Sequence, residues 1–202
     1  RYRRKLKAVL SAERNRLHKH LEVAGIKLSC VVSKIDGVSA VRMIEAVLEG
    51  KEPKEIADLA VGRLKKKKKA LLRVFEGYEL SDRIQSLMEG ILRHIRWIET
   101  RLNEIDMQVV AAMEPYKEEW CLLQTLPGID RIGAAMLLAE IGVDMSQFKN
   151  RNHLSSWAGM CPGNNESAGK RKSGKTRKGN RHIRTLLCEI ANAAIKTDSQ
   201  FK

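Results

Sequence analysis

One apolar repeat constrains the fold of this 202-residue chain more than any other feature. Between residues 81 and 113, apolar side chains recur at alternating spacings of four and three, and no proline interrupts them before Pro115. That spacing lines one face of an α-helix, so the sequence predicts a single helix over 81–113, about 45 Å long. Ser81 is expected to cap it. The repeat consists of Ile84, Met88, Ile91, Ile95, Ile98, Leu102, Ile105 and Val109, widened by Leu87 and Leu92.

An apolar stripe this long has two structural uses. It is either the spine of a helical bundle or the seam of a coiled coil between two chains. Because the predicted helix is long and its stripe narrow, we expect helix 81–113 to associate with a second chain.

The rest of the chain also has helical patterns. They predict a basic amphipathic helix over 1–24 that Gly25 ends, several short helices over 26–78, and two more over 118–124 and 132–141. Within 26–78, KLSCVVSKI and VSAVRMIEAVLEG are the first two short helices. A short helix follows in VDMSQFKNRNHLSSWAG, with Phe148, Leu154 and Trp157 as core candidates. No stretch alternates as strands do, so the fold class is all-α, with a helical and coiled-coil region over 1–114 and a small helical domain over 115–202.

A tight turn, Leu126-Pro127-Gly128-Ile129, joins the helices of the second domain. It is similar to a helix-hairpin-helix, in which hairpin glycines offer backbone N–H groups to a DNA phosphate. Asp130 stands where the second hairpin glycine would be, and its carboxylate would repel phosphate. We therefore favour a packing role for the Ala-rich helix that follows, 132–141, over a phosphate contact of the turn, and Asp130 could cap that helix.

The stretch from Gly159 to Arg184 concentrates positive charge. It holds eight Lys or Arg against one acid, so it carries +7 of the chain's +14, and it also holds five Gly and one Pro. This density of Gly and Pro predicts a loop, and a basic glycine-rich loop before a helix suits phosphate. The expected DNA-phosphate ligands are Lys170, Arg171, Lys172, Lys175, Arg177, Lys178, Arg181 and Arg184.

The net charge of +14 points to a polyanionic partner, and nucleic acid is the favoured one. The basic residues that open helix 1–24 and the run Lys65 to Lys69 are either solvated faces or further phosphate contacts. No apolar run is long enough to span a membrane. The four cysteines are widely spaced, so we interpret them as reduced thiols of a cytoplasmic protein.

Ser167 is the main candidate for chemistry. A serine that attacks a phosphodiester needs charge stabilisation at phosphorus, which the neighbouring basic residues would supply. From residue types alone, most serines in such loops are turn residues, and Ser173 is a rival. Metal-dependent hydrolysis needs clustered carboxylates, but Asp and Glu are scattered along this sequence, and it has no P-loop or zinc motif.

Two segments carry a family resemblance. They are TLPGIDRIGAAMLLAEIG and HLSSWAGMCPGNNESAGKRKSGKTRKGNRHIRTLL, and both resemble the C-terminal domain of the insertion-sequence transposases of the "one-ten" family, which are bridge-RNA-guided DNA recombinases. Residues 1–40 resemble the helical region that precedes this domain. The resemblance covers essentially the whole chain.

The resemblance implies a domain order. In that family a RuvC-like nuclease domain with an acidic metal-binding tetrad comes first, a coiled-coil region follows, and the serine transposase domain comes last. This chain resembles the last two parts. We therefore expect no metal or cofactor in this chain, Mg²⁺ in a RuvC-like domain before Arg1, and no activity from these residues alone.

The resemblance also implies a nucleophile and partners. The family's serine stands among small residues before a lysine, which matches Glu166-Ser167-Ala168-Gly169-Lys170. The family often has a second serine where Glu166 stands and a glycine where Ala168 stands. By this match Ser167 becomes joined to DNA through a phosphoserine. The implied partners are DNA, a non-coding guide RNA, and copies of the chain in dimers or tetramers, in a bacterial cytoplasm at the nucleoid.

Two alternatives stay open at this point. One is a non-catalytic helical module that only clamps nucleic-acid phosphates with the basic loop. The other is a structural coiled-coil assembly protein, whose weak nucleic-acid binding would depend little on salt.

Overall fold

The protein is predominantly helical, which confirms the predicted all-α class. The structure, a computed structural model, describes residues 1–161, 165–173, 175–176 and 178–197. The helices found there are α1 (Tyr2–Val23), α2 (Val38–Leu48), α3 (Pro53–Asp58), α4 (Lys68–Phe75), α5 (Asp82–Ala111), α6 (Lys117–Gln124), α7 (Arg131–Ile141), α8 (Arg151–Trp157) and α9 (Arg181–Ala194). Two short strands, β1 (Asn165–Ser167) and β2 (Lys170–Ser173), form an antiparallel pair. Within those ranges, no helix has both the length and the hydropathy to cross a membrane.

The chain forms two compact units, which we call unit 1 (residues 1–103) and unit 2 (residues 104–202). Helix α5 contributes residues to both. The domain boundary predicted between residues 114 and 115 stays a prediction.

Helix α5 is the long helix that the apolar repeat predicts. It runs from Asp82 to Ala111, within two residues of the predicted 81–113 at its carboxyl end and one at its amino end. The Ser81 hydroxyl accepts a long hydrogen bond of 3.5 Å from the Ile84 N–H, which fits the predicted cap. The middle of the stripe is buried: Met88, Ile91, Leu92, Ile95, Ile98 and Leu102. The helix therefore forms by the predicted periodicity.

The buried part of the stripe is covered within unit 1 itself. Helix α1 contacts α5 through the Arg14–Glu99 ion pair at 2.9 Å and the His94 Nδ1–Glu13 contact at 3.3 Å. The Gln85 amide of α5 also donates to the Leu48 carbonyl of α2 at 2.8 Å. The stripe between Met88 and Leu102 is thus the spine of unit 1. Association of helix 81–113 with a second chain stays a prediction, and it would need surfaces of α5 other than this one.

The segment after α1 differs from the prediction. Gly25 ends α1 with a φ of +80°, as expected, but KLSCVVSKI is not a helix. Only a short 3₁₀ turn forms there, Leu28–Cys30. Val31, Val32 and Ile35 are β-branched and disfavour the helix, and the Lys67 ammonium donates to the Val31 carbonyl at 3.0 Å. The second predicted helix is α2, which begins after Gly37 and ends before Gly50 as the sequence indicates.

Unit 2 has its own small core. Leu137, Ala158, Ile183 and Leu186 are buried together, with Leu123, Ile129 and Ile190 packed against them. Helices α6 and α7 lie where the sequence predicts them, and the Asp130 carboxylate caps α7 by accepting from the Gly133 N–H at 2.6 Å. The prediction for Trp157 is wrong: its ring contacts Phe148 edge-on at 5.6 Å but stays 38% exposed, at the surface of this core.

The turn between α6 and α7 packs against α9. Gly128 has a φ of +84°, and a Cβ on it would lie 2.7 Å from the Ala194 amide nitrogen and closer still to the Ile190 carbonyl oxygen. Only glycine allows this approach of two backbones. The hairpin glycine is therefore used for helix packing. Ala134 and Ala135 of α7 are buried, which confirms the predicted packing role of the Ala-rich helix.

Candidate functional site

The basic stretch contains a β-hairpin that the sequence did not reveal. Residues 159–184 were predicted to be mostly loop, but Ser167 pairs with Lys170 and Glu166 with Arg171 across β1 and β2. Ala168 and Gly169 connect the strands with φ of +51° and +72°, and two consecutive positive φ values are the pattern of a type I′ turn. The prediction failed because such turns are signalled by Asn-Gly or Asp-Gly, and Ala-Gly is not that signal.

Ser167 lies at the tip of this hairpin. It is the last residue of β1, and its side chain is exposed. Within the part of the chain that the structure describes, its hydroxyl has no hydrogen-bond partner. The adjoining turn residues carry at most a methyl group, so a bulky ligand can approach the Ser167 oxygen.

Ser173, the rival serine, has a different environment. It ends β2 and is half-buried, and its hydroxyl oxygen accepts a hydrogen bond of 3.2 Å from the Lys175 N–H. Such a bond is a local turn contact that holds the serine oxygen to the backbone. Of the two serines, Ser167 is therefore the more accessible.

The predicted phosphate ligands fall into three groups. Lys170 is paired directly opposite Ser167 and is exposed, as are Lys175, Lys178 and Arg181. Arg184 is half-buried, and its guanidinium donates to the Thr176 hydroxyl at 3.2 Å. Arg171 and Lys172 lie on β2, but their side chains are outside the described part of the structure, and Arg177 lies outside it entirely. The hairpin thus brings Lys170 close to Ser167, and the role of all eight residues stays a prediction.

The loop that carries the hairpin is closed at its base by two glycines. A Cβ on Gly179 would lie 2.7 Å from the Trp157 carbonyl oxygen and closer still to the amide nitrogen and Cα of Gly159. The Asn180 N–H also donates to the Trp157 carbonyl at 2.9 Å. The backbone at the start of the loop, Gly159, therefore contacts the backbone at its end, Gly179.

Asn180 ties this base to two helices. Its side-chain oxygen accepts from the N–H groups of His182 and Ile183 at 2.9 and 3.3 Å, and so caps α9. Its side-chain nitrogen donates to Glu140 of α7 at 2.9 Å. Glu140, one of the scattered carboxylates of the sequence, therefore has a positioning contact here. Asn180 could have been found from the sequence, because Asn directly before an apolar helical repeat is an N-cap signal. The Gly159–Gly179 approach has no comparable local signal.

Ala168 stores backbone strain at the turn. Among the described residues it is the only non-glycine with a positive φ, and an L-residue in the left-handed region costs about 1–2 kcal/mol. We predict that Ala168→Gly stabilises the hairpin by about 0.5–1 kcal/mol, because relief of this strain exceeds the extra entropy of an unfolded glycine. Amide hydrogen exchange of the β1 and β2 residues measures this as a several-fold slowing.

The matched control is Ala191→Gly, an exposed alanine inside α9 with ordinary helical φ. That change is expected to destabilise by about 1 kcal/mol, which is the opposite sign. If both variants weakened protection of their own segments equally, the strain at Ala168 would be refuted.

Comparisons with known proteins find similarity to transposases in this part of the chain. Residues 121–202, which include α7, the hairpin and α9, match the sequence model described as Transposase IS116/IS110/IS902 family. A putative transposase, y4qE of Sinorhizobium fredii, is 30% identical over 117 residues, covering 50% of this chain and 29% of that protein. The pilin gene-inverting protein of Moraxella bovis is 32% identical over 88 residues, covering 44% of this chain and 27% of its own length. No solved structure matches the chain.

A helical domain whose basic hairpin presents a serine thus coincides with the region that matches transposases. The match of residues 121–202 to the IS116/IS110/IS902 transposase family model and the two curated relatives confirm the resemblance to the "one-ten" transposases. The chain matches less than a third of the length of either curated relative.

Proposed function

We propose that the chain is part of a DNA transposase that cuts and rejoins strands through a covalent phosphoserine at Ser167. The observation that carries the proposal is the exposed position of Ser167 at the hairpin tip, directly across from Lys170. The transposase match of residues 121–202 supports the same chemistry class.

The proposed reaction is two successive transesterifications. The Ser167 oxygen attacks a DNA phosphorus, its proton leaves, and the bond from phosphorus to one deoxyribose oxygen breaks, so that this oxygen departs as a hydroxyl. A hydroxyl of the partner strand then attacks the phosphoserine, which releases the serine and rejoins DNA. Each step exchanges one phosphodiester bond for another, so strand exchange needs no nucleotide hydrolysis.

The basic residues would act on the charge of the reacting phosphate. Lys170, across the hairpin from Ser167, is placed to stabilise the negative charge that develops at phosphorus. The exposed Lys175, Lys178 and Arg181 would hold neighbouring phosphates and so position the strand. Asn180 and the glycine contact at the loop base would act by positioning the hairpin.

The carboxylates of the described residues do not form a Mg²⁺ site. Within the described residues, no three His, Cys, Asp or Glu side chains come together as metal ligands. We propose that Mg²⁺ is held by a RuvC-like domain of the complete transposase, as the family resemblance implies.

We further propose that the partners are DNA and a non-coding guide RNA. The supporting observation is charge: the chain carries +14, half of it outside the stretch from Gly159 to Arg184. Positive charge both inside and outside the stretch from Gly159 to Arg184 would let the chain contact DNA and RNA at the same time.

Covalent trapping tests the proposed chemistry. The full-length protein would be incubated with guide RNA, Mg²⁺ and labelled target DNA, then denatured, digested and analysed by peptide mass spectrometry. We expect a nucleotide adduct on Ser167. An adduct on Ser173 would keep the mechanism and move the nucleophile, whereas cleavage without any adduct would make this chain a non-catalytic phosphate clamp.

A further inference from the structure

Unit 1 has a cavity that the proposed strand-exchange chemistry does not use. It has a volume of about 370 Å³, in the range typical of ligand pockets, and opens between the segment before α2 and the 3₁₀ helix Gly62–Lys67. Its walls come from the two sequence segments 31–40 and 63–67. The cavity is therefore a feature of unit 1 alone.

The mouth of the cavity is positively charged without compensation. Lys34, Arg63 and Lys67 line it, and within the residues that the structure describes no Asp or Glu does. The nearest acid in sequence, Asp36, is held by Arg14 at 2.8 Å. Lys68, which follows the lining residue Lys67, is paired with Asp58. Three cations thus line one concave surface, and both Asp36 and Asp58 are paired with other basic residues. This arrangement favours an anionic ligand.

The interior of the cavity is apolar and held in place. Val31, Val32 and Ala40 are buried, and Leu64 is half-buried. The Lys67 ammonium donates to the Val31 carbonyl at 3.0 Å, and the buried Ser39 hydroxyl accepts from the Val61 N–H at 3.2 Å. These two bonds join segment 31–40 to segment 61–67. The ligand would therefore meet a preformed site with a cationic rim and an apolar floor.

We propose that this cavity binds one nucleotide of a single-stranded nucleic acid. The base lies on the apolar floor, and the adjoining phosphates lie at Lys34, Arg63 and Lys67. A duplex does not fit this description, because its bases are paired and stacked, whereas single strands expose bases that can enter a pocket. The uncapped amino end of α2, which reaches the cavity at Gly37 and Val38, adds backbone N–H groups that favour the same charge.

This site does not depend on the chemistry of Ser167. It lies in unit 1, whereas the serine hairpin lies in unit 2, and its function would be to hold a strand. A failure of the phosphoserine mechanism would leave this proposal standing, and the reverse also holds.

Photo-crosslinking locates the bound strand. The complete 202-residue chain would be mixed with a 12-nucleotide oligo(U) that carries 4-thiouridine, irradiated and digested for mass spectrometry. We expect crosslinks within residues 31–40 and 61–67. Crosslinks confined to residues 159–184 would overturn the proposal. An oligo(dT) carrying 4-thiothymidine tests whether the strand is RNA or DNA, since a site that reads the 2′-hydroxyl would favour oligo(U).

Two double variants of equal charge separate the cavity from general attraction. Lys34→Gln with Arg63→Gln removes two lining cations, and Lys65→Gln with Lys66→Gln removes two exposed cations that do not line the cavity. By fluorescence anisotropy, we expect the first pair to weaken oligo(U) binding about tenfold and to lower the salt slope by about one to two units. The second pair is expected to weaken binding less than about threefold. Equal losses would refute the site.

A third variant tests shape without changing charge. Ser33 is exposed at the edge of the cavity, and Ser33→Trp would fill its mouth. We expect weaker oligo(U) binding and unchanged binding of a 12-base-pair duplex, with the same melting temperature. If oligo(U) binds as before, or if a polyglutamate peptide competes equally well, the cavity does not hold a nucleotide and the proposal is wrong.

Discussion

Ser167→Ala is expected to abolish strand exchange by the full-length transposase, with a loss of about 10⁴-fold or more. The substitution removes the only atom that can form the proposed ester, and no other described residue of the hairpin tip, Ala168, Gly169 or Lys170, has a hydroxyl. DNA affinity is expected to stay within about twofold, because phosphate attraction comes from the basic side chains. The measurement is a recombination assay beside an anisotropy titration at one fixed salt concentration.

Ser173→Ala is the matched control for that variant. It deletes the same atom six positions along the same hairpin, where the hydroxyl only accepts a turn hydrogen bond from Lys175. We expect strand exchange to fall less than about tenfold, since a local turn bond contributes about 1 kcal/mol. Full activity of Ser167→Ala would rule out the phosphoserine, and loss of activity in Ser173→Ala alone would transfer the role to that serine.

Gly179→Ala is expected to destabilise unit 2 by about 2–4 kcal/mol and to inactivate the full-length protein. The new Cβ would overlap the backbone of Gly159 and approach the Trp157 carbonyl oxygen to 2.7 Å. Backbone atoms cannot rotate away as a flexible side chain can, so the two ends of the loop would have to separate. That separation would also weaken the bond from the Asn180 N–H to the Trp157 carbonyl. Chemical denaturation followed by tryptophan fluorescence measures the loss.

Gly90→Ala is the comparison of opposite sign. Gly90 lies inside α5, and a Cβ there meets nothing within 4 Å. An alanine in an exposed helix interior is expected to stabilise by about 1 kcal/mol. If Gly179→Ala unfolded at the same denaturant concentration as the unchanged protein, the close approach at the loop base would be disproved.

The helices were predictable because their signal is local. The 3.6-residue periodicity predicted both ends of α5, α7 and α1 to within two residues, and Asp130 indicated where α7 begins. Which residues pack against an apolar stripe is not a local property of the sequence. Helices α1 and α2, far away in sequence, contact α5 beside the buried residues Met88 to Leu102, and periodicity alone does not distinguish packing within one chain from packing against a second chain.

The site was less predictable than the helices. Ser167 was chosen by resemblance, since charge and glycine content alone made it one serine among several. The hairpin escaped prediction because Ala168 adopts a φ that alanine rarely has, which tertiary context must enforce. The contact between Gly159 and Gly179 joins residues twenty positions apart, and no periodic pattern in the sequence indicates such a contact.

The contact between Gly159 and Gly179 allows the loop between them, residues 160–178, to be exchanged as one unit. Because both ends of the loop meet at one point, a change of length between residues 160 and 178 does not require Gly159 and Gly179 to separate, whereas a change at Thr176 would remove its bond to Arg184 of α9. We expect related transposases to bind different DNA strands through changes in this loop, with the two glycines and Asn180 unchanged. A chimera that carries another family member's loop between Gly159 and Gly179 should therefore fold with the stability of the parent and differ only in the DNA it holds.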